Sequence, residues 1–230
     1  MADCSSTRAG PRTGPSSSQR RRYRSLTLTE ITDAALELLA DGGVERLTMR
    51  GVATRLQHPV MNLYHYVEGK DGLLDAAVER VLETVDTSVV TEDWRADVTT
   101  LLDGLRRALR GHSGVAGILV SRPSAGPHAL RFTEALLAAL SRGGLTDRRL
   151  ALAYTMLRDV VLGLALEGDA WRAASVTEAE INALGDNLSA QVETLPHVQA
   201  NLRSLLTRDD DEQFEFVVAT TLAGLQRDRP

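Results

Sequence analysis

Apolar residues recur at intervals of three and four along almost all of this chain, starting at Ile31. Ile31, Ala35, Leu38 and Leu39 share one helical face, and no segment shows the alternation typical of a strand. Apolar residues make up 43% of the 230 residues but aromatic residues only 4%, so Leu, Ala and Val must fill the core. Leu and Ala favour helices. The sequence therefore predicts an all-α protein of about ten helices.

Three features of the sequence limit where such a chain works. It has no run of about 18 uncharged apolar residues, so no membrane span is expected. The N-terminus also lacks the apolar core of a secretion signal. The single cysteine, Cys4, cannot form an internal disulfide, which suits a reducing compartment. We therefore expect a cytoplasmic protein with no membrane partner.

Charge is distributed unevenly along the chain. Residues 1–70 carry ten Lys or Arg against seven Asp or Glu, whereas residues 71–230 carry sixteen against twenty-four. A basic end on an acidic body indicates an anionic partner for that end. Residues 1–24 are rich in Ser, Gly, Pro and Arg, and we expect them to form a disordered basic arm. A basic tail on an ordinary surface is the alternative.

Three short helical segments are expected after the arm. Thr27 begins a capping box, and Asp41–Gly43 should end the first helix. Thr48 is the expected N-cap of the second helix, and Pro59 can open the third. Helices of about fifteen, eight and seven residues, joined by tight turns and followed by a longer one, have the proportions of a helix-turn-helix module. We therefore assign residues 25–70 to a helix-turn-helix DNA-binding domain.

The geometry of such a module suggests which side chains contact DNA. The second helix crosses the DNA backbone and the third lies in the major groove. Thr48, Arg50 and Arg55 then lie where contacts to phosphate are needed. Polar or aromatic side chains at the start of the third helix would face the bases.

Residues 28–85 resemble the DNA-binding domain of the tetracycline repressor (TetR) family of bacterial regulators. The motif consists of Leu63-Tyr64, Tyr66-Val67, Lys70 and Leu73-Leu74, at the spacing found in that family. The resemblance implies that four residues face the DNA bases: Val60, Met61, Asn62 and Tyr64. It implies that four others contact phosphates: Thr48, Arg50, Tyr66 and Lys70. Lys70 would stand at a helix N-terminus, which already favours an anion.

The chain departs from the family pattern in two places within this domain. Gln57 stands in the turn where the family often has glycine, so it must bear or avoid a left-handed conformation at about 1 kcal/mol. Val60 and Met61 make the base-facing positions unusually apolar. Apolar groups contact thymine methyls rather than forming bidentate hydrogen bonds. We therefore expect a slightly altered turn and methyl contacts in the groove.

The resemblance continues in patches through residues 94–228, towards the tetracycline repressors. The matching stretches are LRRALRGHSG, SRP, LGLALEGD and FEFVVATTLAGLQ. It implies a ligand-binding and dimerisation domain, which we place at residues 71–230. The dimer interface would be a four-helix bundle of the helix over residues 147–173 and the terminal helix of each subunit. Val161, Leu162 and Ala165 are among the residues expected on that face, with the intramolecular core as the alternative.

The polar landmarks of the tetracycline site are mostly absent. Tetracycline repressors bind a magnesium–tetracycline chelate, and Ile118 stands where they have the metal-binding histidine. The drug-contacting histidine and asparagine align with about Asp86 and Leu101, and only Glu167 matches the glutamate of the metal's water shell. The resemblance therefore excludes magnesium–tetracycline as the ligand and implies no metal and no cofactor. It points to a more apolar pocket that uses a few polar groups to orient its ligand.

Nine residues are candidates for that pocket. The polar ones are Arg122, His128, Tyr154, Arg158 and Glu167. The walls would come from Trp94, Ile118, Phe132 and Trp171. For each of them a place in the core or on the surface is the alternative, and Arg122 could instead cap a helix.

The most consistent function is that of a homodimeric repressor, which binds a palindromic double-stranded operator and is released by a small, largely apolar effector. A transcriptional activator and a ligand-independent regulator of the same fold are alternatives. A helical enzyme is a remote one, because the sequence has no glycine-rich phosphate loop, HExxH, CxxC or nucleophile elbow. We therefore expect no enzymatic activity.

Overall fold

The computed structural model describes residues 25–189, 191–207 and 209–227, and within these ranges the chain forms eleven α-helices and no strand. The first four are α1 (Leu28–Arg46), α2 (Met49–Leu56), α3 (Val60–Leu63) and α4 (Gly69–Leu82). The other seven are α5 (Trp94–Arg110), α6 (Val115–Ser121), α7 (Pro127–Arg142), α8 (Asp147–Ala174), α9 (Glu178–Ser189), α10 (Pro196–Leu206) and α11 (Asp210–Arg227). The predicted all-α class is confirmed. The predicted arm over residues 1–24 lies outside the described residues.

Helix α1 begins and is interrupted where the sequence predicts. The Oγ1 of Thr27 accepts the N–H of Glu30 at 3.1 Å, and the Glu30 carboxylate accepts the N–H of Thr27 at 3.0 Å. This reciprocal pair is the predicted capping box. Gly42 and Gly43 leave helical geometry, and Gly43 has a φ of 70° that favours glycine. The stretch from Val44 to Arg46 is therefore a separate turn after a kink.

Helix α3 is shorter than predicted. Its α-helical part spans four residues, because the backbone then tightens: the N–H of Tyr66 donates to the carbonyl of Leu63 at 2.9 Å, one residue closer than in an α-helix. Pro59 lies immediately before the helix, as its N-cap, rather than within its first turn. Gly69, with a φ of 73°, then redirects the chain into α4.

The N-terminal helices pack around one apolar cluster. Five of its large side chains are fully buried: Ile31, Leu39, Leu47, Leu63 and Leu73. They come from α1, from the α1–α2 connection, from α3 and from the first turns of α4. Helix α4 therefore belongs to this cluster at its N-terminal end, and Leu82 at its other end lies in the larger helical domain.

The larger domain is built on the long helices α5, α7 and α8. They pack against one another, and α11 lies against α8. Helices α9 and α10 have no buried residue and pack mainly on each other. None of the helices in the described ranges is long and apolar enough to cross a membrane.

An almost buried arginine fixes the start of α11 on α5. The guanidinium of Arg106 donates to Asp103 at 2.9 Å and to Asp211 at 2.5 Å, and it stacks on the ring of Phe214 at 4.6 Å. Charge-assisted bonds to carboxylates are the stronger class of protein hydrogen bond. The terminal helix is therefore held by specific contacts as well as by its apolar face.

A buried carboxylate holds the connection between α4 and α5. Asp97 accepts the backbone N–H and the hydroxyl of Thr91, and Arg142 at the end of α7 pairs with it. The hydrogen bond from Arg142, followed by that from the Thr91 backbone, lowers the pKa of Asp97 from 3.8 to about 2. The ionised carboxylate is therefore favoured by folding.

We expect this carboxylate to make part of the stability depend on pH. Because the folded pKa lies below the unfolded value, the contribution of Asp97 is present above pH 3.8 and is lost as the pH falls through about 2. The difference in free energy of unfolding between the native chain and Asp97→Asn should shrink over that interval, measured by urea unfolding. Arg142→Gln should weaken the same pH dependence. A difference that stays constant from pH 4 to pH 2 would contradict the assignment.

Candidate nucleic-acid interface and ligand cleft

The turn between α2 and α3 is formed without glycine. The hydroxyl of Thr48 accepts the N–H of Gly51 at 2.9 Å and so caps α2. At the other end, Gln57 adopts the left-handed conformation, with φ 55° and ψ 36°, and its N–H donates to the last turn of the helix. Gln57 therefore bears the left-handed conformation rather than avoiding it, and α3 packs on α2 after this turn.

The two faces of the α3 segment separate packing from exposure. Leu63 and Val67 are buried in the N-terminal cluster. Met61 is 68% exposed and Tyr64 is 53% exposed. The two other residues predicted to face the bases, Val60 and Asn62, are half-buried. Met61 and Tyr64 therefore project furthest towards any partner of this surface.

Two of the predicted phosphate ligands also hold the segment in place. The hydroxyl of Tyr66 donates to the carbonyl of Leu26 at 2.5 Å, before α1. The ammonium of Lys70 donates to the carbonyl of Val44 at 2.6 Å, after the α1 kink. Lys70 has three donors, so this bond leaves two N–H groups for an anion. These tyrosine and lysine side chains fix the chain after α3 while remaining exposed.

The other residues expected to contact phosphate differ in whether they form ion pairs within the protein. Arg50 is exposed in the first turn of α2, next to the capping residue Thr48. Arg55 instead pairs with Glu37 and, at 3.0 Å, with Asp41, both on α1. Arg55 therefore links α2 to α1 through exposed ion pairs.

Four of the nine predicted pocket residues meet in one cleft between α5, α7 and α8 and the connection from α6 to α7. These are Arg122, Phe132, Tyr154 and Arg158. The cleft has about 450 Å³ of empty space, counting the part open to solvent. The remaining lining residues are Leu82, Leu105, Leu119, Pro123, Ser124, Ala129, Thr133 and Leu162. The hydroxyls of Tyr154 and Thr133 share a hydrogen bond of 2.9 Å at its wall.

Two further predicted residues line a different cavity. Glu167 and Trp171 face a wide groove between α8, α10 and α11, with about 1220 Å³ of empty space including open solvent. The groove also has exposed apolar side chains, Leu205 and Phe216. Its carboxylates come from Glu167, Asp209, Glu212 and Glu215. Six of the nine predicted pocket residues are therefore divided between two cavities.

Three predicted pocket residues line neither cavity. Ile118 is buried in the core. The ring of Trp94 lies against Gly143 at the end of α7, where Arg95 stacks on it at 4.6 Å. The backbone N–H of His128 donates to the carboxylate of Glu79 on α4. Within the described ranges, no three His, Cys, Asp or Glu side chains are grouped so as to hold a metal ion.

Helix α4 connects the cleft with the N-terminal cluster. The carboxylate of Glu79 accepts the backbone N–H groups of His128 at 2.8 Å and Ala129 at 3.1 Å, and so caps α7. Gly126 lies beside it, and a Cβ there would displace the Glu79 carboxylate, because it would stand 2.2 Å from the carboxyl carbon. Nearer its N-terminus, α4 is paired with Arg122 of the cleft through Asp71 at 3.1 Å and Asp75 at 3.2 Å.

Comparison with protein families gives two matches that together span both domains. Residues 31–77 match the family of bacterial regulatory proteins called the tetR family. Residues 90–229 match the tetracyclin repressor-like C-terminal domain. The two matches follow the same order as the two parts of the structure.

Individual relatives agree with this assignment. A helix-turn-helix transcriptional regulator of Saccharopolyspora erythraea is 34% identical over 184 residues, covering 80% of this chain and 78% of the relative. The transcriptional repressor DrrR1 of Streptomyces coeruleorubidus is 32% identical over 215 residues, covering 87% of this chain and 77% of the relative. The structure of ActR from Streptomyces coelicolor in complex with actinorhodin superposes with a TM-score of 0.75 at 27% identity, covering 87% of this chain and 95% of ActR. These relatives are regulators rather than enzymes.

The left-handed Gln57 gives a test of the turn. Gln57→Gly should be more stable than Gln57→Val by about 1–2 kcal/mol, because a β-branched side chain is strained at positive φ. Urea unfolding of the full chain measures the difference. At Thr54, an exposed helical position in α2, the order should reverse and Gly should be less stable than Val by about 0.5 kcal/mol. The same order at both positions would be inconsistent with a left-handed turn.

Proposed function

This chain belongs to the tetR family of bacterial regulatory proteins, and from this premise we propose that it is a homodimeric transcriptional repressor. Its N-terminal domain binds a palindromic operator, and a small ligand in the larger domain releases it. The observation that carries the proposal is the exposed α3 surface, which α4 joins directly to the ligand cleft.

The DNA contact follows from the exposed side of α3. Met61 and Tyr64 enter the major groove and contact base edges and thymine methyls. The N-terminus of α2 and the ammonium of Lys70 bind phosphates on either side, because helix N-terminal amides and free N–H groups both favour an anion. Val60 and Asn62, half-buried in the free protein, contribute from the edges of this surface.

The dimer is supported by unpartnered apolar side chains on α8 and α11. Leu152 is 57% exposed and Phe216 is 71% exposed, and Met156 lies one turn from Leu152. Small residues on the same helices permit close approach of a second copy, and these are Gly163, Ala219, Thr220 and Ala223. Val161, Leu162 and Ala165 lie instead in the intramolecular core, so the interface uses the opposite side of α8.

Release by a ligand is a shift between two conformations. A ligand that binds better to the form whose two α3 segments are wrongly spaced for DNA lowers the affinity for the operator, and DNA lowers the affinity for the ligand equally. The reported complex of ActR with actinorhodin, and the repressor DrrR1 among the relatives, support a ligand-controlled repressor. The residues at the metal and drug positions do not suit magnesium–tetracycline.

Substitutions on the two kinds of DNA contact should have different effects. Lys70→Ala should weaken binding to all DNA sequences alike and reduce the slope of log affinity against log salt by about 1. Met61→Ala should weaken binding to the specific operator and leave nonspecific binding unchanged. Fluorescence anisotropy with fragments of the chain's own upstream region and of unrelated DNA measures both.

Arg131→Ala is the matched control, because it removes one positive charge from an exposed position on α7, as Lys70→Ala does from α4. It should leave the salt slope unchanged. A change in specificity alone for Lys70→Ala would show that Lys70 does not contact phosphate. Absence of any salt-sensitive binding to the upstream region would reject the repressor proposal.

The proposed interface can be disrupted by one charge. Leu152→Glu should convert the dimer to monomers and weaken operator binding, because it places a carboxylate in an apolar contact. Sedimentation velocity measures the oligomeric state. Leu130→Glu, at an equally exposed leucine on α7, should remain dimeric. Dissociation by both variants, or by neither, would refute this interface.

A further inference from the structure

We propose that the cleft lined by Arg122 and Arg158 takes an organic anion, meaning a broad apolar body that carries a carboxylate or sulfonate. Arg122 and Arg158 bind the acid group, and binding removes Arg122 from its partners on α4. The inference rests on the proposed function, because it names the ligand class and the control step of the same ligand-responsive domain.

The walls of the cleft suit an apolar body. Leu82, Leu105, Phe132 and Leu162 are almost fully buried and meet at its base, and Leu119 is half-buried beside them. Ligand sites are lined mainly by such side chains, with a few polar groups that fix the orientation. Because these side chains are already buried, the gain in affinity comes mainly from the ligand's own apolar area that is removed from water.

The charges of the cleft select the sign of the ligand. Its lining residues include two arginines and no Asp or Glu. The groove between α8, α10 and α11 has the opposite character, with four carboxylates and no Lys or Arg among its lining residues. An acid group is therefore attracted to the cleft and repelled from the larger groove. A guanidinium is weakly hydrated and matches a carboxylate in a bidentate fork.

Both arginines are already paired, but with carboxylates that do not line the cleft. Arg122 pairs with Asp71, whose side chain is 83% exposed, and with Asp75. Arg158 pairs with Asp159 at 2.7 Å and lies over the ring of Tyr154. Exposed ion pairs contribute about 0–1 kcal/mol, because water screens them. A ligand acid held against the apolar walls can therefore replace them at small cost.

The exchange at Arg122 changes the contacts of α4. Asp71 and Asp75 lie in the first two turns of that helix, and Asp71 directly follows Lys70. When Arg122 turns to the ligand, the connection from α6 to α7 no longer holds this end of α4, whereas the bonds of Glu79 to the start of α7 remain. Ligand binding thereby loosens the end of α4 next to the DNA-contacting surface.

Two fluorescent probes that have the same rings show how much the acid group contributes to binding. The anionic probe, 8-anilino-1-naphthalenesulfonate, differs from N-phenyl-1-naphthylamine only by its sulfonate. Titrated into the full chain, the anionic probe should bind about tenfold more tightly. Arg122→Gln and Arg158→Gln should each weaken it about tenfold and leave the neutral probe unchanged, since a charge-assisted bond is lost. Leu119→Ala should weaken both probes, and Arg131→Gln, outside the cleft, neither.

Removing the competing carboxylates tests the exchange itself. The double variant Asp71→Asn with Asp75→Asn frees Arg122 and should tighten binding of the anionic probe about threefold, by the strength of an exposed pair. The matched control is Asp33→Asn with Glu83→Gln, which makes the same change in net charge and frees Arg80, an arginine outside the cleft. The control should leave the affinity unchanged. A purely structural role of the Arg122 pair would give no tightening.

Three outcomes would overturn the inference: equal binding of the two probes to the native chain, no binding of either, or an anion preference that survives both arginine substitutions. An equal effect of the two double variants would reject the exchange at Arg122. None of these titrations contains DNA. Their failure would reject the ligand class alone, whereas the operator-binding test decides the proposed function.

Discussion

The contacts along α4 are the constraint on which the rest of the structure depends. At one end its apolar residues, such as Leu73, complete the N-terminal cluster, and at the other Leu82 lines the ligand cleft. Between them, Glu79 satisfies two N–H groups at the start of α7, which a helix N-terminus cannot satisfy within itself. Both domains pack on this helix, and their buried residues form one continuous core.

The bonds that hold α4 differ in how easily they exchange. The cap formed by Glu79 is half-buried, and two backbone N–H groups at the start of α7 hold its carboxylate. The pairs of Arg122 with Asp71 and Asp75 are exposed, and water or another anion can replace them at little cost. Helix α4 therefore carries both a half-buried cap and an exposed pair that can exchange.

Features set by local chemistry were predictable from the sequence. The capping box of α1 and the cap of Thr48 depend on residues three apart, and the strain at Gln57 follows from the absence of glycine in a tight turn. Features set by distant partners were not predictable. Arg55 was assigned to phosphate but pairs with α1, and Ile118 was assigned to the pocket but lies in the core. Apolar periodicity alone cannot distinguish a cavity wall from the core.

The sequence by itself determined the helical class and the caps of the first helices, because periodicity and capping act within a few residues. The exposed positions of Met61 and Tyr64 were implied by the resemblance to a family rather than by periodicity. Only the tertiary structure decided which polar residues share a cavity. Arg122 and Arg158 are 36 positions apart in the sequence, and they line one cleft because α5, α7 and α8 pack together. Glu167 and Trp171 lie further along the same helix as Arg158 and face another groove, which α10 and α11 also line.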